Sequence, residues 1–290
     1  AEERYDRAEE FVEVVKGLWR SWDEDAFLRN KSTGEFFDPS KLHRLDHHGK
    51  HFTVKGPLNV PRSPQGHPVI VQAGSSGPGK ALAARTAEIV FTAQPDKKKA
   101  QDFYSEIKTL AETHGRSPDD LKIMPGMGVT VAETEEEAKA KVAELEALID
   151  PVVGLTHLSS FLGFDVTGYP VDGPLPEIPE ASAKIIQSRQ QLFIDMAREE
   201  NLTLRETYIR ASVSKGHLNV VGSPTQVADL MEEWFAAKAA DGFNVMPSAM
   251  TGGIANFARL VVPELQRRGL FREEYEGTTL RENLGLKCPE

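Results

Sequence analysis

Apolar and polar positions alternate along this chain in two periods. At the start Ala8, Phe11, Val12, Val15, Leu18, Trp19 and Trp22 recur at helical spacing and predict an amphipathic helix with a wide apolar face. So apolar a first element needs something to pack against. The chain begins Ala1-Glu2-Glu3, with no Met and no apolar signal region, and reads as one entered in the middle of a domain. Turn residues then dominate 34–67, where Lys50-His51-Phe52-Thr53-Val54 predicts a short hairpin or arm. Short apolar runs predict strands at 69–73, 89–93, 121–131 and 242–246. Between them the pattern predicts helices at 78–88, 96–114, 134–150, 181–201 and 254–268, and another opening at Ser223-Pro224. Asp96 is a cap, Gly115 a stop, and Thr134/Glu137, Ser223/Gln226 and Thr279/Glu282 have capping-box spacing. Residues 204–213 are weakly patterned. Residues 151–180, with Gly154, Gly163, Gly168, Gly173 and four prolines after Pro151, break the rhythm and predict a long irregular insert, functional or disordered.

Strands alternating with helices mean parallel strands covered by helices. A (β/α)8 barrel and an open doubly wound sheet both fit, although a closed barrel needs about eight strands.

Composition narrows the partners. Of 290 residues 40% are hydrophobic and 27% charged, ordinary globular values. The net charge of -10, with no long basic run, argues against nucleic acid and against an anionic membrane surface. No apolar run is long enough to span a bilayer. The single cysteine, Cys288, permits no intrachain disulfide and suits a reducing, cytoplasmic compartment.

The stretch VIVQAGSSGPGKA carries the candidate chemistry. Gly74 to Lys80 spells G-x-x-x-x-G-K, but Ala81 stands where a P-loop needs the hydroxyl that holds Mg²⁺. No later strand ends in an apolar run plus Asp, so a nucleoside-triphosphate site is disfavoured. The local physics still suits an anion. A strand ends at Gly74, Pro78 fits the first helical position, and the amides of Gly79 and Lys80 would be free at the positive end of the helix dipole. A turn that is glycine-rich for steric reasons alone fits the spacing equally well.

The segment VIVQAGSSGPGKALAARTAEIVFTAQ resembles the flavin-dependent monooxygenases of the bacterial luciferase-like superfamily, in particular those acting on nitrilotriacetate and dibenzothiophene sulfone. ERYDRAEEFVEVVKGLW, HHGKHFTVKGPLNVPRSPQGHPVI and DGFNVMPSAMTGGIANFARLVVPELQRRGLFREEYEGTTLRENLGL extend the likeness over almost the whole chain. The resemblance implies an α/β fold, a luciferase-like (β/α)8 TIM barrel with insertions, of which residues 1–290 are one partial domain carrying the second half of the strands. Residues 34–67 are then an arm and 151–180 an insert. It implies an oxygenase using reduced FMN, supplied by a separate NAD(P)H-dependent flavin reductase, to oxidise a small organic or xenobiotic substrate with O2, and a homo-oligomer. No Rossmann G-x-G-x-x-G follows a strand, which suits a partner carrying out the NAD(P)H step. By the same resemblance Ala73, Gly74, Ser75 and Ser76 bind the FMN phosphate, Tyr5 of RYDRAEE reaches it, and His157 lines the substrate side. Against the family, the first barrel strands are missing, and half a barrel exposes strand edges. The chain alone is then expected to bind FMN weakly and not to turn over. A deazaflavin- or flavin-dependent oxidoreductase of the same superfamily, or an inactive fragment that associates with a partner, are the competing expectations.

Other groups are weaker candidates. His43, Asp46, His47, His48 and His51 cluster in a loop without the spacing of a zinc site, so a solvated arm is expected there and no metal. Gln72, Thr92, Gln94, Met246 and Pro247 sit at or just beyond strand ends, where barrel residues face the site. Lys97-Lys98-Lys99 reads as a solvated first helical turn, and Arg267 and Arg268 suit a helix C-terminus.

Overall fold

The computed structural model describes residues 2–179 and 187–289, in two compact units. The first comprises residues 1–90, 107–122 and 274–290; the second comprises 91–106 and 123–273.

The first unit opens with helix α1 (Glu2–Trp19). Its buried side centres on Val14, whereas Phe11 stays exposed and leans on Phe52 at 6.1 Å. The expected arm is a hairpin of β1 (His47–His48) and β2 (Thr53–Val54), paired antiparallel. It is not simply solvated, because α1 clamps it through two carboxylates. Glu10 accepts from His47 Nε2 at 2.9 Å and from the amides of His51 and Phe52, and Asp6 accepts from Lys50 and from His51 Nε2 at 2.7 Å. Burial pushes the Glu10 carboxyl up, but these donors outweigh it and the net shift is downward. Hydrogen bonds from Lys50 and His51 likewise hold Asp6 below the usual carboxylate range. Strand β3 (Val71–Ala73) follows, then α2 (Gly77–Thr86).

The chain passes between the units within β4 (Ile89–Thr92). Helix α3 (Lys97–Thr113) starts where Asp96 accepts from the Lys99 amide, and Gly115 follows it with φ 72°. In the second unit the parallel sheet is built on β5 (Lys122–Val131). Met127, Gly128 and Val129 pair on both edges of this strand, with β6 (Leu218–Gly222) on one and β7 (Asn244–Pro247) on the other, both parallel. The sequence reading missed β6, a five-residue run interrupted by Asn219. Met127, Val129, Val131, Leu218 and Val220 form its core with Trp234, Val261 and Leu265.

Helix α4 (Glu135–Ala147) is capped by Thr134. Residues 151–180 were expected to be irregular throughout, yet α5 (Pro151–Leu162) occupies their first part. Asp150 accepts from the amides of Val152 and Val153, Pro151 fits the first turn, and Gly163 ends the helix at φ 60°. Asp-Pro, read as a stop for the helix before, is equally a start for the next. Its core partners are α6 (Gln187–Glu199) and α7 (Leu204–Val213), which carry Phe193, Ile194, Leu204 and Tyr208 against Leu155, Leu158 and Leu162. The first turns expected for α6, residues 181–186, lie outside the described residues. Helix α8 (Pro224–Ala236) has the complete Ser223/Gln226 capping box. The single helix expected at 254–268 is broken into α9 (Gly253–Asn256), a π turn at Phe257–Val261 and α10 (Val262–Arg267). Pro263 has no amide hydrogen to continue the α ladder, which accounts for the wider turn before it. Helix α11 (Leu280–Asn283) closes the first unit behind its own capping box. No single described helix is long and apolar enough to cross a membrane.

Candidate functional site

The turn from β3 into α2 is assembled by its own sequence. Ser76 is the N-cap: its Oγ accepts from the Gly79 amide at 3.3 Å and its carbonyl from the Lys80 amide at 2.8 Å. Those two amides, expected to be free for an anion, are therefore consumed by the cap. The donors that remain lie earlier, on Ser75, Ser76 and Gly77, which find no backbone partner among the described residues. They still stand at the positive end of α2, where an anion is favoured.

Helix α1 completes this turn from 71 residues away. Tyr5 Oη lies 3.2 Å from Ser76 Oγ, and an Arg85–Glu9 ion pair at 2.7 Å binds the same two helices further along. Two glycines make the approach possible. A Cβ on Gly79 would stand 2.8 Å from Tyr5 Oη, 3.1 Å from Ser76 Oγ and 3.3 Å from the Gly74 carbonyl carbon. A Cβ on Gly74 would meet Gln72 Nε2 at 3.0 Å and Tyr5 Oη at 3.3 Å, whereas one on Gly77 would meet nothing within 4 Å. Of the expected cofactor residues, Tyr5, Gly74 and Ser76 thus converge on one turn. Ser75 is exposed beside them, and Ala73 is the exposed last residue of β3. Lys80 lies within α2, as does Ala81, which offers no metal-binding hydroxyl.

His157, Thr92, Gln94, Met246 and Pro247 belong to the second unit. His157 is exposed on α5, its ring 4.8 Å from that of Phe161 and without a hydrogen bond to a described residue. Thr92 and Gln94 are buried at the end of β4, with Gln94 Nε2 donating to Thr92 Oγ1 at 3.0 Å. No motif announced their neighbour His217, just before β6. It is buried, stacks on Phe91 at 5.2 Å, and rests on Gly126, where a Cβ would come within 2.5 Å of its Nδ1. Burial lowers its pKa, keeping the imidazole neutral. Met246 and Pro247 end β7, half-buried. The histidines of the arm find carboxylates, His43 on Asp23 at 3.0 Å and His47 and His51 as above. No group of three or more His, Cys, Asp or Glu among the described residues could hold a metal.

The luciferase-like monooxygenase family model matches residues 1–241. The chain is 56% identical over 287 residues to N-acetyl-S-(2-succino)cysteine monooxygenase of Bacillus subtilis, covering 99% of this chain and 65% of that protein. It is 52% identical over 290 residues to nitrilotriacetate monooxygenase component A of Aminobacter aminovorans, covering 99% of this chain and 64% of that one. It superposes on the crystal structure of DmoA from Hyphomicrobium sulfonivorans with a TM-score of 0.85 at 33% identity, covering 97% of this chain and 59% of that one. The chain therefore spans a little under two thirds of these relatives' own length, and its α/β fold matches part of a luciferase-like TIM barrel. Matched by one family model over residues 1–241, well over half of its length, this protein belongs to the luciferase-like monooxygenase family.

Proposed function

We propose that this chain belongs to the oxygenase of a two-component system, acting in the cytoplasm. It would take reduced FMN from a separate NAD(P)H-dependent flavin reductase and transfer one atom of O2 to a small organic or xenobiotic substrate. The β3–α2 turn carries this reading. It offers amide donors, a hydroxyl pair and a helix dipole to a phosphate. Ala81 leaves no hydroxyl for the Mg²⁺ that accompanies a nucleoside triphosphate. The "component A" in the name of the nitrilotriacetate relative supports a system with a second component.

When bound, the flavin supplies the activation of O2, and the protein supplies binding and orientation. The amides of Ser75, Ser76 and Gly77 would hold the phosphate oxygens, with Tyr5 and Ser76 adding hydroxyl donors and Ala73 and Gly74 shaping the approach. His157 is proposed to line the substrate side and to give or hold a proton there, which an imidazole can do near neutral pH. The domain is read as one partial barrel across residues 1–290, with the 34–67 arm and the 151–180 insert.

Gly74→Asp tests the cradle in the full chain, because it fills the turn and adds a carboxylate against the phosphate. Anaerobic titration with reduced FMN is expected to find no binding, and an unchanged affinity would refute the cradle. His157→Gln is expected to lower turnover by about a hundredfold or more with FMN affinity retained. Unaltered turnover across the pH range would remove His157 from the mechanism.

A further inference from the structure

Gln72, the middle residue of β3, is the one polar side chain of that strand, and it reaches the cradle without contributing a donor to its mouth. Its Nε2 donates to the Gly79 carbonyl at 3.3 Å and would be 3.0 Å from a Cβ on Gly74. Gly79 is the node of the site, where the amide meets Ser76 Oγ, the Cα faces Tyr5 Oη, and the carbonyl takes the Gln72 amide. The other end of the same carboxamide is unsatisfied: Gln72 Oε1 is buried with no hydrogen-bond partner among the described residues. A single neutral hydrogen bond contributes modestly to folding, and a buried acceptor left unpaired costs as much or more. The fold itself therefore gains nothing from an amide here. Resting on the FMN reading above, the geometry points to Gln72 as a positioning residue, whose bond to Gly79 holds the first turn of α2 at the separation from Gly74 and Tyr5 that a phosphate needs. The unpaired Oε1 is the stability given up for that placement, as is found where function and folding pull apart.

This separates Gln72 from a merely structural residue. Methionine matches its length and shape without polar atoms. In the full chain, Gln72→Met is expected to raise the dissociation constant of reduced FMN about five- to tenfold, measured anaerobically, while the melting temperature stays the same or rises. A structural role predicts the opposite coupling, so a lowered melting temperature that accompanies the weaker binding overturns the inference, as does unchanged binding. Gln72→Glu provides a second readout. Ionised, it cannot donate to the Gly79 carbonyl; protonated, it can. Its affinity relative to wild type is expected to recover as the pH falls through the carboxyl's range, and a flat ratio overturns the inference. If the wild-type full-length protein itself fails to bind reduced FMN, the cradle reading falls and this inference with it. If the wild type binds and the methionine variant binds equally, only the role of Gln72 falls.

Discussion

Gly79→Ala is expected to weaken the binding of reduced FMN by roughly 2–4 kcal/mol, about 30- to 1000-fold, as two or so charge-assisted hydrogen bonds are lost. The added methyl would stand 2.8 Å from Tyr5 Oη and 3.3 Å from the Gly74 carbonyl carbon, closer than such contacts allow. Relief requires that Tyr5 withdraw from Ser76 or that the 74–77 turn move outward, and either opens the cradle. Gly77→Ala is the matched control. It makes the same chemical change two residues earlier in the same turn, where the methyl meets nothing within 4 Å and the backbone is not left-handed. Its melting temperature is expected to equal or exceed that of wild type, with helix propensity unchanged or improved, and its FMN affinity to fall less than that of Gly79→Ala, because the Gly77 amide keeps its place. Anaerobic titration of both variants decides the matter. Equal losses would mean that the turn responds to glycine replacement in general and that the packing of Tyr5 on Gly79 is irrelevant.

The largest effect on stability is expected at Arg281, which is 1% exposed. It pairs with both Glu88 oxygens and donates to the carbonyls of His67 and Lys287, each at 3.1 Å. Glu88 in turn accepts from the Ile70 amide at 2.9 Å, just before β3. The pair thus ties α11 to the strand that carries the cradle. Arg281→Met leaves the Glu88 carboxylate buried and uncompensated, and is expected to destabilise the protein by about 3–5 kcal/mol in urea unfolding. Converting Glu88 to leucine in the same chain is expected to recover much of that loss, since a buried pair replaced by apolar groups is often near neutral. A double variant no more stable than the single one would show that the backbone carbonyls, rather than the carboxylate, need the guanidinium. The pH dependence has a definite sign. Burial pushes the Glu88 carboxyl up, but the Arg281 hydrogen bond and the Ile70 amide outweigh it, and the net shift is downward. Its contribution is complete above the unfolded carboxylate pKa and is lost as pH falls through the lower, folded value. His67, lowered by burial, acts in the same direction from a higher starting point, below an ordinary imidazole pKa of about 6.5. Wild type should lose stability progressively on acidification, whereas in Arg281→Met the part due to Glu88 should shrink or reverse.

The sequence by itself determined the local elements and the class of chemistry. The starts of α4, α8 and α11 follow from a serine or threonine before the first turn, and those side chains cap as the spacing predicts. Strands β3, β4, β5 and β7 were legible because each is a short apolar run between turn residues, whereas β6 was not. The likeness of VIVQAGSSGPGKA and its flanking segments pointed to the family before any coordinate did. Local pattern was insufficient where a neighbour in space sets the outcome. His47 and His51 of the arm are clamped by Glu10 and Asp6, 37 and 45 residues away, whereas the π turn before Pro263 and the Asp150-Pro151 start of α5 are local signals that the pattern reading passed over. A local cap that the sequence reading missed decides which amides of the cradle are free, because Ser76 uses those of Gly79 and Lys80 to start α2. Tertiary structure alone brought Tyr5 onto Ser76, left Gln72 Oε1 unpaired, and made Gly79 a position with no room for a side chain while Gly77 has ample room. These glycines look alike in sequence; the difference is the hydroxyl that α1 lays against one of them, a contact between elements 74 residues apart that no local pattern encodes.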